Sequence, residues 1–206
     1  VFPAGLAIVV LAGGELFTGN NLIIISVLDK RITWGKMLRS WLIVYLGNFA
    51  GSLLVAAAAV LSHSLSLFGG ELAASVISSA VVKVSLPFCD AFIRGILCNF
   101  LVCIAVWCAM SAKSAGGKVA ALYFPIMLFV LCGFEHCVAN MYQIPAGIFA
   151  LKIPAYASVA ATDVSALTFS NFFIKNLVPV TLGNIIGGAG FVGVPMWFVH
   201  LHKKEG

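Results

Sequence analysis

The chain has 206 residues, of which 62% are hydrophobic and 9% charged, with a formal net charge of +5. Soluble domains carry about a quarter charged residues, so this composition excludes a water-soluble enzyme and reads as a membrane protein. The positive charge builds no nucleic-acid face, because it is gathered in short segments between apolar runs.

A bilayer core about 30 Å thick takes roughly 20 apolar residues per helix. Runs near 1–28, 38–62, 88–111, 119–150 and 172–201 meet that length. The first opens on VFPAGL without the charged start of a signal peptide, and the expectation is that a first helix is missing ahead of it. Inside this run GELFTGN (14–20) predicts a break. Gly13, Gly14 and Gly19 weaken the helix, while Thr18, Asn20 and Asn21 are capping residues, so a half-helix is expected to begin near Asn20. Irregular backbone at membrane depth survives only where protein or a wet cavity satisfies it. The free N–H groups of such a half-helix suit an anion.

A loop at 29–39 follows, with Lys30, Arg31, Lys36 and Arg39. After the run 38–62 comes an outer loop carrying Lys83, which either concentrates anions at a mouth or is simply solvated. In the run 88–111, Asn99 and Val102 share one helix face, and Asn99 either lines a pore or ties two helices. The loop 112–118 holds Lys113 and Lys118, and Lys203 and Lys204 follow the last run. By parity these basic segments share one side, which the positive-inside rule makes cytoplasmic, with Val1 near the outer face. The six cysteines sit in apolar runs without metal spacing and read as small buried hydrophobes.

The fourth run contains CGFEHCVANM (132–141), which puts Glu135, His136 and Asn140 in the middle of oil and predicts a second break near Gly133–His136. It also pairs with the first. Glu15 and Asn20 stand five residues apart, as do Glu135 and Asn140, and YLGNFAG (45–51) pairs with TLGNIIG (181–187). Each motif returns three spans later, and an odd number of crossings reverses direction, so the halves read as an inverted repeat with its site at the repeat interface. The residues from Arg94 to Trp107 then correspond to the missing first helix. The chain is one transmembrane channel domain over 1–206, with a partial repeat at 1–65 and a second at 85–202.

His136 is the leading functional residue, since an imidazole changes charge near neutral pH and intramembrane ionisable groups are functional by default. Glu15 and Glu135, with Asn20 and Asn140, are expected to be structural, the carboxylates accepting from free backbone N–H groups at the breaks or from a neighbouring subunit. Gly47, Gly51, Gly183, Gly187 and Gly188 are expected to allow close helix contact. One deep histidine cannot bracket a haem or build a metal site, so no metal, cofactor or enzymatic role is expected. An aquaporin-type neutral solute channel lacks support, because no NPA string stands at either break.

The strings AGGELFTGN, RITWG, CNFLVCIAVW, CGFEHCVANM and NLVPVTLGNIIGG together resemble the formate/nitrite transporter family, over essentially the whole chain. The resemblance implies an all-α polytopic fold of aquaporin-like inverted three-helix repeats, with broken second and fifth helices, assembled as a homopentamer with one pore per subunit. It implies passage of formate, nitrite or hydrosulfide across a bacterial inner membrane, with the expectation that His136 protonates or hydrogen-bonds the anion in a pH-dependent way, the alternative being a passive anion channel without proton transfer. By the same resemblance Thr18 faces His136, while Leu16, Phe17 and Val102 form a cytoplasmic constriction and Phe2, Leu6 and Phe129 an outer one. Lys83 and Asn99 match a vestibule lysine and a pore asparagine. RITWG and NMYQIP look like formate channels, whereas GELFTGN departs from the Asp and Ser expected around LFT, so the preferred anion stays open.

Overall fold

The computed structural model describes residues 2–202, and every regular element among them is helical. Val1 and the two lysines 203 and 204, used above to assign sides, lie outside the described residues. α1 (Phe2–Ala12) and α2 (Phe17–Leu28) form one apolar segment bent by 61°. α1 ends on Gly13, whose φ of +71° only a residue without Cβ adopts freely. α3 (Trp34–Leu61) starts on Thr33, whose side chain accepts from the Lys36 N–H. α4 (Glu71–Val84) precedes α5 (Phe88–Ser111). α6 (Ala115–Leu131) is capped by Ser114 and ends, like α1, on a glycine of positive φ, Gly133 at +65°. α7 (Cys137–Ala150) resumes that segment, and α8 (Phe169–His200) closes the fold with π-helical turns at Phe172–Leu177 and Ile186–Gly193.

Both expected breaks are present, at 13–16 and 132–136. α1 runs antiparallel to α6: Phe2 meets Phe129 at one end, and Val10 shares a cavity with Lys118 at the other. That cavity also takes in Ser26 and Met110, so the chain segments around 29–33 and 112–114 gather at one end of the molecule. Lys36, Arg39 and Lys118, expected in loops, stand in helices, Lys36 and Arg39 in the first two turns of α3 and Lys118 in the first turn of α6.

The region 63–87, expected as a loop, is largely helical. α4 has 14 residues, about 21 Å at 1.5 Å per residue, which is short of a full crossing. It lies antiparallel along α7. Ser66 Oγ, just before α4, meets Tyr156 Oη at 2.9 Å, Ala80 fills the space beside Gly147, and Lys83 reaches Glu135. Its buried residues Ala73, Ile77, Ala80, Val81 and Val84 recur at helical spacing, a stripe diluted in sequence by the serines between them.

Gly183 and Gly187 let α8 touch the backbone of α5, where an added Cβ would land on the carbonyls of Phe92 and Ile96. Gly188 is closed by Asn99 and Cys103. Gly47 and Gly51 meet nothing within 4 Å among the described residues, so the close contact expected of them is not formed there. Leu42, Leu46, Leu54, Phe191 and Phe198 are exposed on the flanks of α3 and α8, the surface an apolar solvent requires.

Candidate functional site

The two breaks converge. Thr18, in the first turn of α2, places Oγ1 3.0 Å from Nε2 of His136, and both side chains are buried. His136 is the N-cap of α7, and its Nδ1 accepts the Ala139 N–H at 3.1 Å. A neutral imidazole carries one hydrogen, so with Nδ1 accepting, Nε2 carries it and points at Thr18. Phe129 stacks on the ring at 5.9 Å between centroids, and Phe2 stands edge-on to both.

Around this contact lie two cavities. The one on the side expected to face outward, called outer for that reason and about 190 Å³, is lined by Lys83, His136, Phe2, Phe129, Asn140 and Gln143. The inner one, about 480 Å³, is lined by Leu6, Leu16, Val106, Trp107 and Lys118 among others. Leu6, Val102 and Phe129 belong to one apolar cluster, against which Leu16 and Phe134 pack, and this collar stands between the cavities. Leu16 and Val102, expected at the cytoplasmic constriction, and Leu6 and Phe129, expected at the outer one, thus meet in a single apolar cluster, with Phe2 against Phe129.

Phe17 is the sixth residue expected at a constriction and is not there. Successive residues entering a helix diverge in direction, and with Leu16 on the inner cavity Phe17 turns to α3. Its ring packs 4.8 Å from Tyr45 and 6.1 Å from Trp41. Of the two readings of Asn99, the structure shows the tie between helices and not the pore-lining position that the resemblance implied. Its Nδ2 donates to Asn184 O at 2.7 Å, to Asn21 Oδ1 at 2.8 Å and to Thr18 O at 3.2 Å, and the side chain lines neither cavity. It ties α5 to α2 and α8. Lys83 is not in a loop, and its Nζ donates to Glu135 Oε1 at 2.8 Å.

The carboxylates accept from side chains, not from backbone N–H groups. Glu135 Oε2 takes Asn140 Nδ2 at 2.7 Å and Asn176 Nδ2 at 3.3 Å. Asn176 also donates to Lys83 O at 3.0 Å, joining the first π-turn of α8 to α4. Glu15 accepts from Asn20 on the exposed side of its break. Thr18, Asn20 and Asn21 do not cap α2, whose N-cap is Leu16 with no side-chain bond. The cap arrives from elsewhere. Asn48 Oδ1, on α3, accepts the Phe17 N–H at 2.9 Å, and Asn184 Oδ1, on α8, accepts the Cys137 N–H at 2.9 Å. These two asparagines sit in the repeated LGN motif, and sequence reading used them only as markers of the repeat. Asking what satisfies the first free N–H of each half-helix would have found them.

Two antiparallel broken helices meeting head to head inside an apolar helical body define a polytopic membrane protein of channel architecture. Residues 1–198 match the formate/nitrite transporter family. The formate channel FocA of Haemophilus influenzae is 42% identical over 199 residues, covering 94% of this chain and 70% of its own. FocA of Escherichia coli K12 is 39% identical over 209 residues, covering 99% and 73%. A solved pentameric formate channel with formate bound superposes with a TM-score of 0.85 at 37% identity, over 97% of this chain and 80% of that one. The chain belongs to the formate/nitrite transporter family, and it is an integral membrane anion channel, not an enzyme.

Proposed function

We propose that the protein passes small monovalent anions of weak acids, formate first among them and nitrite or hydrosulfide by family, in a pH-dependent way. It works as a homopentamer in a bacterial inner membrane, with segments 29–39, 112–118 and the C-terminus cytoplasmic. The channel domain spans 1–206, its partial first repeat at 1–65 and its second at 85–202. The observation that carries the reading is the Thr18–His136 contact beside an apolar collar with a cavity on either side.

A bare charge entering the collar loses its water at a cost of several kcal/mol even after relaxation. One added proton turns formate or nitrite into a neutral acid and removes that cost. His136 offers Nε2–H, shared with Thr18, to hold the anion at the collar. Because Nδ1 is engaged by the Ala139 N–H, the ring serves as a hydrogen-bond donor, and the proton that neutralises the cargo is a solvent hydronium proton that arrives through the outer cavity and leaves a water molecule behind. A second proton on the ring must go to Nδ1. It then displaces the Ala139 N–H, disturbs the start of α7 and closes the passage on the acid side.

His136→Asn keeps an acceptor for the cap and a donor for the cargo but cannot titrate. Formate flux into proteoliposomes measured across pH is expected to persist in His136→Asn without its fall on the acid side, and to vanish in His136→Phe. Wild-type flux in His136→Phe refutes the donor role, and an unchanged acid-side fall in His136→Asn refutes ring titration as its cause.

A further inference from the structure

We infer that Asn48 and Asn184 are positioning residues that set the conformation of the two residues facing the passage, Leu16 and His136. The inference rests on the reading of His136 above. A side-chain amide presents a donor and an acceptor side by side, and each asparagine uses both across a single residue. Asn48 accepts from the Phe17 N–H at 2.9 Å and donates to the Glu15 carbonyl at 3.0 Å, so it grips the chain on both sides of Leu16. Asn184 accepts from the Cys137 N–H at 2.9 Å and donates to the Glu135 carbonyl at 3.0 Å, so it grips both sides of His136.

The gripped residues have nearly the same backbone. Leu16 stands at φ −123°, ψ 122°, and His136 at φ −114°, ψ 115°, both extended immediately before a helix. Their carbonyls are left to accept the first helical bonds, from the Asn20 and Asn140 N–H groups, each at 2.9 Å. One rigid amide thus converts a free loop residue into a fixed station. One station carries an apolar side chain and the other an imidazole.

The second clamp is the more firmly anchored. Asn184 is fully buried, its Nδ2 also donates to the Gly95 carbonyl at 2.7 Å, and its own carbonyl accepts from Asn99. Gly183, beside it, brings α8 close enough to α5 for that reach. The ionisable groups around His136 are the Lys83–Glu135 pair, the thiols Cys98, Cys103 and Cys137, and Tyr45 behind Cys137. None of them bonds to Nδ1, so the clamp and the Ala139 N–H set the geometry there.

The test is the pH profile of formate flux in proteoliposomes for Asn184→Ala and Asn48→Ala, with pentamer recovery checked by size exclusion. Asn184→Ala frees His136 from its cap, and the acid-side fall is expected to move to higher pH by about one unit. Asn48→Ala loosens Leu16, so its midpoint is expected to stay within about 0.3 units while chloride leak rises several-fold. If Asn184→Ala yields no pentamer, Asn184→Ser, which keeps one hydroxyl, takes its place with the same readout. Equal loss of flux in both variants with unmoved midpoints overturns the inference and leaves two ordinary structural amides. Loss of the acid-side fall in His136→Asn together with a wild-type midpoint in the Asn184 variant overturns the clamp alone. Persistence of the fall in His136→Asn overturns the underlying reading.

Discussion

Lys83 and Glu135 offer the sharpest energetic test of the site. Their charged atoms are 2.8 Å apart, with side-chain exposures of 17% and 4%. At an effective dielectric near 20, unit charges at that distance attract by roughly 6 kcal/mol, and desolvation of both groups returns much of it. Lys83→Met leaves Glu135 buried with the amides of Asn140 and Asn176 as its remaining partners. Breaking a buried pair costs about 3–5 kcal/mol, and those two bonds hold the loss to about 3. Glu135→Gln leaves an ammonium that still meets some water, for a loss of about 2 kcal/mol. The double variant removes both charges and is expected near 2 kcal/mol, which makes the coupling about 3 kcal/mol. Unfolding free energies from SDS titration of the purified protein measure the cycle, and formate flux on the same samples reads the consequence. Single losses that simply add, for a double near 5 kcal/mol, refute the pairing argument. Restored stability without restored flux assigns Lys83 a direct role toward the anion.

Thr18→Val removes the hydroxyl facing His136 Nε2 at little change in volume. Flux by stopped-flow is expected to fall about tenfold, with stability down by about 1 kcal/mol, and Thr18→Ser to restore both. Leu16→Ala thins the collar and raises chloride leak. Phe17→Ala, which touches Tyr45 and Trp41 instead, is expected to cost about 3 kcal/mol of stability without leak. Gly187→Ala drives a Cβ into the Ile96 carbonyl, where no side chain can swing aside, and is expected to cost about 1–3 kcal/mol and broaden the size-exclusion peak.

The spans and breaks were legible because they depend on local signals: runs of apolar residues set by bilayer thickness, and glycines whose positive φ ends a helix. Gly13 and Gly133 do the same thing at corresponding places. The pairing of Thr18 with His136 entered through family resemblance, since two residues 118 apart share no local signal. Two of the departures share a cause: the start of α2 and the direction of Phe17 are fixed by groups that arrive from other helices, as is the choice between the two readings of Asn99. Asn48 supplies a cap that no neighbour in sequence could announce, and so α2 starts at Phe17 instead of at Asn20. α4 was missed because its stripe of alanine and valine is interleaved with serine, which reads as loop when scored residue by residue.

α4 also explains why two nearly identical motifs end in different places. Both breaks carry Glu followed five residues later by Asn, joined by an amide–carboxylate bond in each. At the first break that pair is exposed. At the second, α4 lies alongside α7 and lowers Lys83 onto Glu135, burying the carboxylate at 3% exposure and tying it to the π-turn of α8 through Asn176. On the reading proposed above, the ion pair offsets a cation that would otherwise hold an anion tightly, and binding must stay weak enough for the cargo to leave. With one Lys83 N–H given to Glu135, the donor at the collar itself is the imidazole Nε2–H beside Thr18, a neutral group. The repeat supplies two equivalent half-helices, and the helix inserted beside one of them leaves a mild hydrogen-bond donor, His136, before α7, while an apolar side chain, Leu16, stands before α2.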